Sequence, residues 1–127
     1  MPNPCEQAVA EYFAAVRAGD VERWVNTFAP DGVSHDPVGT PPMEGHAALR
    51  NFLTHIGASF LSVSLTEDAV FANGSSAAVK WTGKATAHSG KSVDFQGVDV
   101  IDCNEEGKII LVRAFWDAAP VMAIAGT

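Results

Sequence analysis

Of the residues in this 127-residue chain that can exchange protons, three sit in telling positions. The segment SVDFQGVDVIDC (92–103) reads as a strand, whose side chains alternate faces with period two. One face carries Val93, Phe95, Gly97, Asp99, Ile101 and Cys103; the other carries Ser92, Asp94, Gln96, Val98, Val100 and Asp102. Asp94 and Asp102 fall on the polar side, where solvation accounts for them. Asp99 falls among the most apolar residues of the strand. A carboxyl there loses its hydration, so it must be paired or protonated. A bulge that turns Asp99 outward, or a buried pair with an arginine, would also satisfy the pattern. Tyr12 is the only tyrosine. It lies on an apolar helical stripe, where a buried phenol needs a hydrogen-bond partner. Asp36 precedes Pro37 and a loop. It reads either as a turn aspartate or as a carboxylate held at the rigid end of an extended segment.

The elements that must position these groups follow from punctuation and periodicity. Asn3 can cap a first helix, with Pro4 at its first position, and Val9, Tyr12, Phe13 and Val16 form its apolar stripe. Gly19 stops it. Asp20 then caps a second helix carrying Val21, Trp24, Val25 and Phe28, with Pro30-Asp31-Gly32 as its closing turn. An extended piece covers 33–36, since the residue before Pro37 avoids helical geometry. A loop rich in Pro and Gly covers 38–45, and a third helix covers 46–56 with Leu49, Phe52, Leu53 and Ile56 on one face. Four strands follow at about 60–72, 76–88, 92–103 and 108–117. They are separated by Asn73-Gly74, Ser89-Gly90 and Glu105-Glu106-Gly107. Helices first and a long meander later is an α+β pattern, with three helices covering one face of a curved antiparallel sheet.

Composition narrows the function classes. The length suits a single domain spanning 1–127, and 47% hydrophobic with 18% charged residues is a globular balance. Fifteen acids against eight bases leave a net charge of −7, which argues against nucleic-acid or anionic-membrane partners. The start has no basic segment followed by an apolar core, and no apolar run is long enough to span a bilayer, so a cytoplasmic location is expected. Two cysteines, Cys5 and Cys103, are expected as free thiols in a reducing compartment. The histidines His35, His46, His55 and His88 lack ligand spacing for a metal. There is no Gly-rich phosphate loop, and Ser59, Ser62 and Ser64 lie in no nucleophile elbow.

The segments YFAAVRAGD (12–20), FAPD (28–31) and HDPVGTPPMEG (35–45) resemble the bacterial ketosteroid isomerases. These belong to the NTF2-like, or SnoaL-like, superfamily, whose members form a cone of curved sheet closed by helices. The resemblance continues through Asp99-Val100-Ile101, Gly107-Lys108-Ile109 and Ala114-Phe115-Trp116, and so spans most of the chain. It implies Asp36 as the base and Tyr12 and Asp99 as the second and third catalytic groups. Asp99 is thus reached by two routes, strand alternation and family pattern. The implied reaction converts a 3-oxo-Δ5-steroid to its conjugated Δ4 isomer, with Asp36 carrying the proton between carbons. Tyr12 and protonated Asp99 would donate to the oxygen of the dienolate, a pattern known from this family. The resemblance also implies no metal or organic cofactor and an apolar small-molecule substrate. It places Trp116, Phe52, Phe95, Val112 and Ala114 on the pocket wall and a homodimer on the exposed sheet face, and the 38–45 loop is the expected lid.

The chain departs from the family in places. Phe28 and Leu53 stand where some members have tyrosines that support the catalytic one, His35 precedes the base, and Asp102 replaces a basic residue. Rival readings on the same cone are a polyketide cyclase using Asp36, an epoxide hydrolase needing an Asp-Arg-Asp cluster with Arg113, and a binding module without catalysis.

Overall fold

A computed structural model describes residues 3–127. Helix α1 covers Pro4–Ala18; Asn3 caps it by accepting from the N–H groups of Cys5 and Glu6, and Gly19 ends it in the left-handed conformation. A left-handed residue at this position lets the chain reverse without a Cβ clash. Asp20 then caps the short helix α2, Val21–Val25, by accepting from the Arg23 N–H. Next come β1 (Phe28–His35), β2 (Met43–Glu44) and α3 (Gly45–Ser59). The meander β3 (Ser62–Asn73), β4 (Ser76–Thr86), β5 (Ser92–Cys103) and β6 (Ile109–Trp116) follows, and α4 (Ala119–Ile124) closes the order.

All six strands form one mixed sheet in the order β2-β1-β6-β5-β4-β3. The β3–β6 meander is antiparallel, and β1 joins β6 in parallel. Irregular register falls between Phe28 and Val33, between Glu67 and Ala69, and between Asp102 and Cys103. Such bulges increase local twist and bend, and they curl the sheet around the helices. Helix α1 lies across β3, β4 and β5, and α3 lies against β1. The core between them is built from Val9, Tyr12, Phe13, Trp24, Phe28, Leu49, Val79, Ile101 and Ile109.

Four expectations need correction. The second helix stops at Val25, and the Pro30-Asp31-Gly32 turn is not its end but a bulge inside β1. Phe28 pairs with Ile109 and Val33 with Leu111, so the extra residues loop out. Gly32 permits this because a Cβ there would sit 2.9 Å from the Ile109 carbonyl oxygen. Part of the 38–45 loop is strand: Met43 and Glu44 pair with Ser34 and Val33. The C-terminal helix α4 was not foreseen; its Val121 packs on Phe60 and Ala85. Finally, Cys5 and Cys103 are not free thiols but a disulfide, with Cα atoms 5.7 Å apart and a sequence separation of 98. Packing of the start of α1 on the end of β5 brings them together, and local spacing carries no trace of that. Among the described residues no helix is long and apolar enough to cross a membrane.

Candidate active site

The helices and the concave face of the sheet enclose a cavity of about 510 Å³, in the range of small-molecule sites. Tyr12, Asp36 and Asp99 all line it. Tyr12 comes from the middle of α1, where its ring lies 5.1 to 6.0 Å from those of Phe13, Trp24 and Phe28. Asp36 follows the end of β1, before the cis peptide bond to Pro37. Asp99 lies inside β5, paired with Val79 and Ala114 in regular register. The buried positions of β5 alternate through Gly97, Asp99, Ile101 and Cys103, so the apolar-face placement of Asp99 holds without a bulge.

Both carboxyls are tethered by indoles. The Trp116 Nε1–H donates to Asp36 Oδ1 at 2.7 Å, and the Trp81 Nε1–H donates to Asp99 Oδ1 at 2.9 Å. No arginine or lysine pairs with either; the four ion pairs among the described residues lie elsewhere. Arg113 projects from the exposed face of β6, so it forms no Asp-Arg-Asp cluster with them. Asp99 is 2% exposed. Desolvation first, and the negative charge of Asp36 second, push its carboxyl up to about 7, against the favourable Trp81 bond. Burial also raises Asp36, offset by Trp116. Asp36 lines the cavity and keeps intermediate exposure. The Tyr12 phenol, 3% exposed, is held well above its ordinary range by burial and then by the two carboxylates. It therefore stays protonated and can donate.

Apolar walls surround these polar groups. Trp116, Phe52 and Phe95 line the cavity as the sequence suggests. Val112 and Ala114 do not: they share the inward face of β6 but are sealed within the core. The 38–45 loop contributes nothing to the lining; the rim is made by the end of α1, the second half of α3 and the start of β3. Arg17 braces that rim, donating from Nη1 to the Leu65 carbonyl oxygen at 2.9 Å. Sequence reasoning missed Trp81 and Trp24 as lining residues. A signal for Trp81 was present in Gly97, its register partner in β5. A Cβ at Gly97 would lie 2.5 Å from the Trp81 ring, so the glycine makes room for the indole that reaches Asp99. Among the described residues no cluster of three His, Cys, Asp or Glu side chains could hold a metal.

A family model described as a SnoaL-like domain matches residues 9–112. The chain belongs to the SnoaL-like family. This SnoaL-like chain is 32% identical over 117 residues to the steroid Delta-isomerase of Nocardioides simplex, covering 91% of this chain and 92% of that protein. It is also 32% identical to the epoxide hydrolase/cyclase-like enzyme SalBIII, which acts in pyran ring formation in the polyether salinomycin. The two structures superpose with a TM-score of 0.82, covering 91% and 92% of the respective chains. A Δ5-3-ketosteroid isomerase from Mycobacterium sp. superposes with a TM-score of 0.83 at 24% identity, covering 93% of this chain and 96% of that one. At that identity the likeness speaks to the fold, an NTF2-like α+β cone.

Proposed function

We propose that this chain is a cofactor-independent steroid Δ-isomerase, moving a proton within an apolar β,γ-unsaturated ketone. The observation that carries the reading is the convergence of Tyr12, Asp36 and Asp99 on one apolar cavity. Asp36, ionised, takes the proton from the carbon next to the carbonyl and returns it to the γ carbon. The ketone becomes a dienolate between those steps, with its charge on oxygen. Tyr12 donates to that oxygen through its phenol, and Asp99 donates through the carboxyl oxygen that Trp81 leaves free. Both donations strengthen as charge develops, which is what lowers the barrier. Trp116 stabilises the ionised form of Asp36 and fixes its direction.

A second reading has its own support. An acid that titrates near 7, as Asp99 does, can give its proton to an opening epoxide oxygen. Asp36 would take the proton of the attacking hydroxyl, so the carboxyl pair would run an epoxide cyclisation. The SalBIII likeness, at the same identity as the isomerase, favours keeping it.

Absorbance of the conjugated enone formed from a 3-oxo-Δ5-steroid tests the first reading. Wild type should turn over, and Asp36→Asn should lose about 10²–10⁴-fold in kcat while still binding product. A folded wild-type protein that leaves the steroid unchanged but closes a hydroxy-epoxide to a cyclic ether would instead establish the second.

We also propose a homodimer built on the convex face of the sheet. Register places Phe71, Ala78 and Val100 in one row across β3, β4 and β5, with Val98 and Phe115 paired in the next. Phe71, Val98 and Phe115 are exposed, and a second copy would cover them.

A further inference from the structure

The indole of Trp24 is the unexplained group of the cavity. It lines the cavity and is 1% exposed, yet its Nε1–H meets no acceptor. A buried donor left without a partner is costly, and native proteins rarely keep one without use. Its ring lies 5.6 Å from that of Tyr12, tilted by 54°. The two helices that carry these rings are locked at the residues next door. Arg23 clasps Glu11 through two hydrogen bonds, Nε to Oε2 at 2.6 Å and Nη2 to Oε1 at 2.8 Å. Glu11 precedes Tyr12 and Arg23 precedes Trp24, so this surface pair joins α1 to α2 one residue from each ring. Phe28, with its ring 6.0 Å from that of Tyr12, and Leu53, on the same cavity wall, offer no donor.

We propose that Trp24 is a positioning residue for the oxyanion site: its indole N–H donates to the Tyr12 hydroxyl oxygen as that hydroxyl gives its own proton toward the substrate. A phenol oxygen can accept one hydrogen bond while donating another. When negative charge builds on the substrate oxygen, part of it passes to the phenol oxygen, and the indole dipole then stabilises it. The same contact favours the ionised form of Tyr12, against the burial and carboxylate charges that oppose it. The role of Tyr12 in this account rests on the isomerase reading; the contact between the two side chains does not.

The chain makes the contact directly measurable, because it has one tyrosine and three tryptophans. Fluorotyrosine incorporated throughout labels Tyr12 alone and lowers the intrinsic phenol pKa, so its ionisation can be followed without substrate by 19F NMR and ultraviolet absorbance. Trp24→Phe should raise that titration midpoint by about one unit. It should lower kcat for the steroid by about tenfold, with KM little changed. In otherwise wild-type protein, the Trp24 indole N–H resonance is assigned by elimination with Trp81→Phe and Trp116→Phe. It should move downfield with the same midpoint as the fluorophenol. An unmoved phenol midpoint in folded Trp24→Phe, or an indole resonance flat across the titration, overturns the proposal. Those readouts hold whether or not the steroid is turned over, so failure of the isomerase reading would show separately, as absent turnover.

Discussion

At the scale of single residues, Asp99 is where function and stability pull in opposite directions. In the proposed reaction its carboxyl must be neutral to donate, and burial favours that form up to about pH 7. The Trp81 bond works the other way, since an N–H donated to a carboxyl favours its charged form. The pH–rate profile should therefore be bell-shaped, with the alkaline limb set by Asp99 as part of a coupled pair with Asp36. Trp81→Phe removes the donor and should carry that limb upward by about one unit. An alkaline limb unchanged in this variant would remove Asp99 from the titration. Stability follows with its sign fixed. A group whose pKa rises on folding stabilises fully below its unfolded value, and that stability fades as pH climbs through the folded one. From 3.8 to about 7 the loss is roughly 4 kcal/mol. Asp99→Asn should thus be more stable than wild type at pH 8 while impaired in turnover. Equal denaturant midpoints for the two at pH 8 would contradict a carboxylate forced to ionise in an apolar wall.

At the scale of elements, the legible parts are those with local causes. Asn3, Gly19 and Asp20 cap as read, and the third strand runs over the residues its alternation indicates. The alternation around Asp99 is local to β5, whereas the place of Gly97 opposite Trp81 depends on the β4–β5 register. What was not legible depends on partners far along the chain. Pro30-Asp31-Gly32 reads as a turn, but β6 lies alongside and holds it as a bulge in β1. The Trp81 and Trp116 tethers cross 18 and 80 residues. The Cys5–Cys103 bond crosses 98. That bond joins the start of α1 to the end of β5, the two elements that carry Tyr12 and Asp99. Closing so long a loop restricts the unfolded chain strongly, and its loss should cost about 2–5 kcal/mol. Guanidinium unfolding of wild type with and without reductant, beside Cys5→Ser, checks this. Reduced wild type and Cys5→Ser should share one lowered midpoint. Midpoints identical to that of untreated protein would show that the two thiols are not joined in solution.

At the scale of the whole molecule, the sheet has two faces with different tasks. The concave face is closed by helices and holds the cavity; the convex face of β3 to β6 is left to solvent, with Phe71, Val98 and Phe115 exposed on it. Strand β5 belongs to both. Asp99 points inward, while Val98 and Val100 on either side of it point outward, and the β6 partner of Val98 is Phe115. Covering the convex face with a second copy would therefore brace the strand that holds the buried acid, so assembly and catalysis share a backbone. Phe115→Glu places a charge within that patch, and Phe115 is not among the residues lining the cavity. Burying an unpaired carboxylate in an apolar interface is strongly unfavourable, so the variant should run as a monomer where wild type runs as a dimer. Light scattering coupled to size exclusion, across a dilution series, reads this directly. If the monomeric variant also loses part of its turnover, the proposed bracing of β5 gains support. A wild type monomeric at the highest concentration would leave the convex face without its proposed partner, and the bracing of Asp99 would then rest on the β4 and β6 ladders alone.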